Sequence, residues 1–398
     1  MNQLTVSYLG QKVGALGSMP AGVVFEYNPA FIATGLELSP LNLPLRAGVQ
    51  MREGGRLPGL FEDSLPDAWG LRVMREWLRQ NEVPGHTITP LTLLAYVGDR
   101  AMGALTYEPA TTIAGGDALA VSLAKIHDAV IAAGQAGEID LAELAAVGSS
   151  AGGARPKALI ALPREKSGRL LAGAGAIPAT HEAWLVKFDL SGDGTGGPME
   201  EAYARMARAA GIDLPETRLL ETKRGKNVRR HFAVKRFDRN GPLRLHHHTL
   251  SAMCQVGGGD LSYETLLRVT RRLTHDETEV WRAYRQAAFN VLAHNRDDHG
   301  KNHGFIYRDR KWGLGPAYDL TFVSPALQPE RGMSLAGERR GADQSHLHQL
   351  AESEALDRRQ ANAVIDEVRA AVNRWRKFAA EAEVPAFKAA EVQRLLSA

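Results

Sequence analysis

The run ETEVWRAYRQAAFNVLAH, residues 277 to 294, constrains the fold more than any other stretch of this 398-residue chain. Val280, Trp281, Tyr284, Ala287, Ala288, Val291 and Leu292 recur at i, i+3, i+4 and i+7. That is the period of a helix with one apolar face, so the run must lie against a core. Directly after it comes NRDDHGKNHGF (295 to 305), with two carboxylates, two histidines, a lysine and two asparagines in eleven residues. A packed helix that hands over to a polar loop holds those groups in place where solvent and ligands reach them, which is where reactive residues concentrate.

The rest of the chain supplies the core such a helix needs. With 44% hydrophobic and 23% charged residues it reads as a globular protein of two or three domains. A formal net charge of +3 is too weak to mark a nucleic-acid binder. One local basic run, KRGKNVRRHF (223 to 232), fits either a polyanion contact or a solvated hairpin tip. The single cysteine, Cys254, excludes an internal disulfide framework and a thiolate-only zinc site, and suits a reducing compartment. MNQLTVSYLGQKVG lacks the basic-then-apolar pattern of a secretion signal, and no uncharged apolar run approaches the roughly 18 residues of a membrane span, so a cytoplasmic protein without membrane contact is expected.

Along the chain, residues 3 to 28 alternate as strands do, LPDAWGLRVMREWLRQ and PLTLLAYVG read as helices, and AMGALTYEPA returns to a strand. ATTIAGGDA (110 to 118) is small and weakly patterned, marking a boundary near residue 112. Two helical runs follow, LAVSLAKIHDAVIAAGQ and DLAELAAV, the second leading into the small-residue loop of GSSAGGARPKALIAL and its strand. EAWLVKFDL and HFAVKRFDR are strand candidates on either side of a helix in GPMEEAYARMARAAGI. After about residue 242 the pattern is almost wholly helical, broken by the polar cluster and the short strand HGFIY. The fold class expected is α+β.

Asp297 and Asn302 stand in a D-x-x-x-x-N spacing. In phosphoryl transfer such a loop lets the aspartate accept the proton of an acceptor hydroxyl while the asparagine turns back to hold Mg²⁺; the same spacing also fits an Asx-rich turn capping the helix. Asp319 in GPAYDL offers a second hard oxygen ligand, or a simple Asx turn. The loop GSSAGGARPK (148 to 157) would let backbone N–H groups close on anionic oxygens, with Arg155 and Lys157 supplying charge, although it matches no standard phosphate-loop pattern and would also serve as a linker. Lys187, inside the apolar strand WLVKF, needs a counter-charge if buried, and Glu200 or Glu201 on the next helix is placed to give it; a strand edge facing water is the alternative. His246 to His248 with His294, His299 and His303 invite a second reading, a metal-dependent hydrolase completed by Asp297 and Asp298. That reading leaves the glycine loop and the Lys187 strand unexplained, and the triple histidine also serves as a polar lead-in to a helix at TLSAMC.

The order glycine-rich loop, strand lysine, helix glutamate, D-x-x-x-x-N, then aspartate resembles the HipA-type serine/threonine kinases, the toxins of HipBA-like toxin–antitoxin pairs. LFEDSLPDAWG and LLAYVGDRAMGAL resemble their N-terminal subdomain, SSAGGARPKALI the phosphate loop, WLVKFD the lysine strand, EEAYARMARAAGIDLPE the following helix, VKRFDR the hinge, NRDDHGKNHGF the catalytic loop and LGPAYDL the metal loop. The resemblance implies an N-terminal sheet-and-helix subdomain (1 to 111), then a bilobal kinase-like core with a mixed small lobe carrying the loop and hinge (112 to 241) and an all-α large lobe (242 to 398). It makes Asp297 the catalytic base, Lys187 the phosphate lysine with Glu200 its partner, and Asn302 and Asp319 the Mg²⁺ ligands. Nucleotide contacts fall on Gly152, Gly153, Ala154, Arg155, Pro156 and Lys157, on Lys235, Arg236 and Phe237 at the adenine hinge, and on His299, Gly300, Lys301 and Asn302. Ser150 matches the autophosphorylated serine of the family. Some members carry glutamine where Arg155 stands and glutamate where Lys235 stands. ATP and Mg²⁺ are the implied cofactors, an aminoacyl-tRNA synthetase such as glutamyl-tRNA synthetase the implied target, and a HipB-like helix-turn-helix antitoxin the implied partner, which would supply most of the contact with operator DNA. An inactive scaffold that binds antitoxin and DNA remains a third reading.

Overall fold

Alternation of apolar and polar residues builds the first sheet of the computed structural model, which describes residues 2–66, 68–111, 119–134, 144, 147, 155–165, 168–173, 175–257 and 259–397. Five antiparallel strands, β1 (Gln3–Tyr8), β2 (Gln11–Met19), β3 (Gly22–Tyr27), β4 (Val49–Met51) and β5 (Leu105–Glu108), lie in the order β4-β3-β2-β1-β5. Their period of two sends Leu4, Val6, Leu16, Phe25 and Tyr107 to one face. That face is covered by the helices Ala68–Gln80 and Pro90–Val97. The second of these starts on a reciprocal capping box between Thr89 and Thr92, with Pro90 in the first turn where its missing N–H costs nothing.

A second antiparallel sheet contains β6 (Lys157–Pro163), β7 (Leu171–Ala172), β8 (His181–Lys187), β9 (Thr217–Arg224) and β10 (Asn227–Lys235), ordered β7-β6-β8-β10-β9. Ala158, Ile160, Trp184, Val186 and Ala233 form its inner layer against the helix Leu123–Gly134. The basic run KRGKNVRRHF makes the β9–β10 hairpin, and Arg224 beside its turn and Arg230 further along β10 are engaged by Asp128 and Glu383, each at 2.8 Å. The helix Gly196–Ala209 sends Met199, Ala202, Tyr203 and Met206 into the core of the following region instead, so it ties the second sheet to what comes after.

That region is built on Tyr263–Thr274 and the helix read first from the sequence, Glu277–Leu292, with Gln344–Ser353, Arg358–Val372, Trp375–Glu381 and Ala386–Leu396 packed around them. Side chains of Ser262, Asp276, Asp343 and Asp357 cap four of these helices at their N-termini. The fold class is α+β as expected. The large lobe is not all helix, however: a small hairpin, β11 (Arg239–Asn240) with β12 (Leu243–Arg244), precedes a three-stranded sheet of β13 (His246–Thr249), β14 (Gly304–Arg308) and β15 (Lys311–Leu314). The triple histidine is therefore a strand, held in register by β14, and the helix at TLSAMC begins only at Leu250. Among the described residues no helix is long and apolar enough to cross a membrane. Ser150, Gly152, Gly153 and Ala154, and most of the run DLAELAAV, lie outside the described residues.

Candidate active site

Lys187 ends β8 in register with Lys157 of β6 on one side and Phe232 of β10 on the other. Two ammonium groups opposite each other on neighbouring strands repel, so this corner of the sheet needs acids. It has them. Lys187 Nζ stands 2.5 Å from Glu200 Oε2 on the helix Gly196–Ala209 and also pairs with Asp319 Oδ1 from the loop after β15. Glu200 Oε1 takes a second cation, Arg155 Nη1, at 3.2 Å. Of the two glutamates the sequence offered, Glu201 faces elsewhere and pairs with Arg205 at 2.8 Å. Burial would push the Lys187 ammonium down, but Asp319 and Glu200 outweigh it and hold the lysine above its usual range. Burial likewise pushes the Asp319 carboxyl up, and Lys187, Lys157 and Arg155 overcome it, so Asp319 stays ionised well below the usual carboxylate range. Asp319 also holds a left-handed backbone, φ 58°, a strain typical of functional loops whose surroundings over-determine them.

Across the cleft the polar cluster folds into a tight 3₁₀ turn, Gly300–Asn302. Asn302 Nδ2 donates to the Asp297 carbonyl at 2.6 Å, which closes the D-x-x-x-x-N loop and leaves the amide oxygen for another partner. The Asp297 side chain is half exposed, with His299 Nε2 3.7 Å from its Oδ1. Its carboxyl is raised, by partial burial first and by Asp319 second, against the opposing pull of His299 and Arg155. Tyr318 O–H donates to the Lys301 carbonyl at 2.6 Å and so fastens the metal-loop candidate to the catalytic-loop candidate.

Between these walls lies a cavity with an empty volume of about 1150 Å³, counted out to its open mouth. Leu185, Phe232, Val234 and Leu320 make much of its lining apolar, and Phe237, His247 and Tyr318 stand together on it, Phe237 and Tyr318 stacked with ring centres 5.8 Å apart. Glu62, Asp63, Leu65 and Met102 of the N-terminal part line it as well. Asp63 reaches it because it accepts from the Thr249 N–H and Oγ1–H, both at 2.7 Å, and shares a hydrogen bond with His248 Nδ1 at 2.7 Å. His246 bonds to the Leu38 carbonyl and His248 Nε2 to Ser39. The triple histidine thus joins two parts of the chain. His303 is engaged with Gln286, and among the described residues no group of three His, Cys, Asp or Glu could hold a metal ion, against the hydrolase arrangement.

Of the residues singled out from sequence, Lys157, Lys187, Glu200, Lys235, Arg236, Phe237, Lys301, Asn302 and Asp319 meet on this one cavity. Arg155 joins them through Glu200, and Pro156 accepts the Phe188 N–H beside Lys187. Three assignments change character. The Arg236 guanidinium is turned inward onto Asp238, at 2.9 and 2.8 Å, so only its backbone remains for the hinge. Gly300 is not on the wall; it packs against Leu261, whose Cδ1 a Cβ there would meet at 2.3 Å. His299 is also off the wall, beside Asp297. Asp63, Met102 and Tyr318 were not picked out individually beforehand, and His247 only within the triple histidine. The donor set suits a small hard cation, since Asp319 and Asn302 present oxygens, and the cations around an apolar slot suit a nucleoside triphosphate.

Residues 149–375 match the family model described as the HipA-like C-terminal domain, and residues 4–108 that of the HipA N-terminal domain. A protein of Sinorhizobium fredii (strain NBRC 101917 / NGR234) named "Putative kinase Y4mE" is 28% identical over 156 residues, a match covering 35% of this chain and only 36% of that relative. Among solved structures, the Shewanella oneidensis MR-1 toxin–antitoxin complex of HipA, HipB and operator DNA superposes with a TM-score of 0.69 at 18% identity, covering 99% of this chain and 95% of that one. The Helicobacter pylori proinflammatory kinase CtkA gives a TM-score of 0.35 at 13% identity, over 53% of this chain and 92% of that one.

Proposed function

The chain belongs to the HipA family, and from that premise and the geometry of its cleft we propose that it is a serine/threonine protein kinase, transferring the γ-phosphoryl group of ATP to a protein hydroxyl with the help of Mg²⁺. The observation that carries the reading is Lys187, buried between Glu200 and Asp319 with Lys157 beside it in register. That is the lysine–glutamate–aspartate set with which protein kinases hold phosphates and metal.

In this reading the adenine lies in the apolar slot against the backbone of Lys235 to Phe237, while Arg155, Lys157 and Lys187 face the phosphates. Asn302 and Asp319 would hold Mg²⁺, which when bound neutralises charge on the phosphate oxygens. Asp297, exposed enough to meet a protein side chain and with its carboxyl raised by partial burial, accepts the proton of the attacking serine or threonine hydroxyl. Gly152 to Ala154 complete the phosphate loop. Ser150 beside them is the proposed autophosphorylation site, where a dianionic phosphate would hold the loop off the nucleotide and switch the enzyme off. The family likeness further suggests an aminoacyl-tRNA synthetase as target, glutamyl-tRNA synthetase foremost, growth arrest in the cytoplasm as the outcome, and a HipB-like antitoxin that silences the chain and carries it to operator DNA.

Two measurements test this. ATP should raise the melting temperature, more so with Mg²⁺, and Asp297→Asn should keep that shift while phosphotransfer falls roughly 10²–10⁴-fold, the usual worth of a general base. Phosphotransfer near the wild-type rate in Asp297→Asn removes the base assignment, and a chain that binds ATP without any transfer is the inactive scaffold. Mass spectrometry after incubation with Mg²⁺-ATP should find phosphate on Ser150.

A further inference from the structure

The aspartate next to the proposed base faces the opposite way. Asp298 is fully buried, and each of its oxygens is used: Oδ2 accepts from Tyr263 O–H at 2.6 Å and from Arg331 Nη1 at 2.9 Å, and Oδ1 accepts from the Gly332 N–H at 2.8 Å. Arg331, its side chain 1% exposed, also donates from its two Nη atoms to the main chain that leads into the catalytic loop: to the carbonyls of Asn295 at 2.9 Å, Asn290 at 3.0 Å and Val291 at 3.2 Å. On the other side of Asp297, Arg296 donates to the Pro329 and Arg340 carbonyls, while its own carbonyl accepts from Gln328 Nε2 and the Gly332 N–H. Gly332 comes so close that a Cβ would lie 2.4 Å from the His299 nitrogen. Both neighbours of Asp297 are therefore fixed to the segment 328–340 that follows the Asp319 loop, while the Asp297 side chain itself is left half exposed.

We propose that Asp298 and Arg331 are positioning residues for Asp297: their buried ion pair locks the segment after the metal loop onto the catalytic loop, so the base is held in place permanently, without modification of that segment. A buried arginine–carboxylate pair gains little net stability over an apolar pair, but with both Nη atoms of Arg331 and both oxygens of Asp298 engaged its geometry is sharply defined. Such definition is what a proton acceptor needs, because a misplacement of about 1 Å can cost on the order of 100-fold in rate. The inference rests on the kinase reading, which the same experiment tests separately.

In the full chain, phosphotransfer kinetics and Mg²⁺-ATP affinity would be measured for wild type, Asp298→Asn, Arg331→Gln and the double variant. Each single change should lower kcat by about 10- to 100-fold with ATP affinity and KM for ATP within about 2-fold of wild type. The double variant should be no worse than Arg331→Gln alone, since it removes the buried charge that Arg331→Gln leaves uncompensated. Should the single variants fail to fold, Tyr263→Phe removes one donor to Asp298 without stranding a charge, and should lower kcat with unchanged ATP affinity. A folded variant with wild-type kcat, parallel loss of kcat and ATP affinity, or multiplicative losses in the double variant overturns the lock. Absence of transfer in wild type overturns the kinase reading and the lock with it.

Discussion

At Asp297 and Asp298 the same side chain meets two environments, and what separates them is the direction in which the loop presents each: one half exposed, one sealed under Arg331. Asp319 is more tightly constrained, ionised by the cations around it and bonded to Lys187. Asp319→Ala should therefore abolish the Mg²⁺-dependent part of the ATP melting shift, because Asn302 alone is a neutral ligand, while Lys187 keeps Glu200 and the apo protein still folds. A Mg²⁺ effect as large as in wild type would place the metal elsewhere. That Lys187, Glu200, Asn302 and Asp319 would meet was legible in the sequence from their order and spacing. Asp298 and Arg331 were not, since composition says that a residue is polar but not whether it turns inward to a partner 33 positions away. Asp63 and Met102 were hidden for a similar reason: their place on the cavity depends on how one sheet docks onto another.

At the scale of elements, the long helices were the readable part. Tyr263–Thr274 and Glu277–Leu292 repeat their apolar face over several turns, and periodicity of that length is hard to mistake. The strands β11 to β15 span two to five residues, too few for alternation to show, and three adjacent histidines carry no pattern at all. Register comes from the partner strand instead. Where β13 meets β14, Gly304 leaves room for the His247 ring; a Cβ would come within 2.2 Å of His247 Nε2. Gly304→Ala should thus cost about 1–3 kcal/mol as an overpacked site and lower the urea midpoint with little change in slope. Because His247 lines the cavity, ATP affinity should fall too. A variant with wild-type midpoint would mean that the histidine moves aside freely.

For the whole molecule, the seam between the first sheet and the core decides most. Asp63 binds Thr249 and His248, Asp238 accepts from the Gly103 N–H, and Arg239 and Arg244 reach the carbonyls of Ala101 and Gly103. Asp63→Ala strips the acceptor from this junction and should destabilise the protein by about 3 kcal/mol, the range for breaking one partner of a buried pair, read from denaturant unfolding; an unchanged midpoint would show that the seam is not held there. Acid should act on the same region. His246, like His231 and His303, is buried and pushed down to about 3, burial being the main cause in each. A histidine held neutral in the fold and free to protonate when unfolded stabilises fully above its ordinary pKa of 6.5, and that contribution drains away between there and its folded value. Each such group gives up about 1.4 kcal/mol per pH unit across that window. The melting temperature should fall steadily from pH 7 to pH 5, and a flat profile would contradict the neutral burial. Since Asp63 and Met102 form part of the cavity wall, the chain is also not severable: cut after Thr111 and expressed from two genes, neither product would own the whole cavity, and only their reassembly through the Asp63 and arginine contacts would restore it.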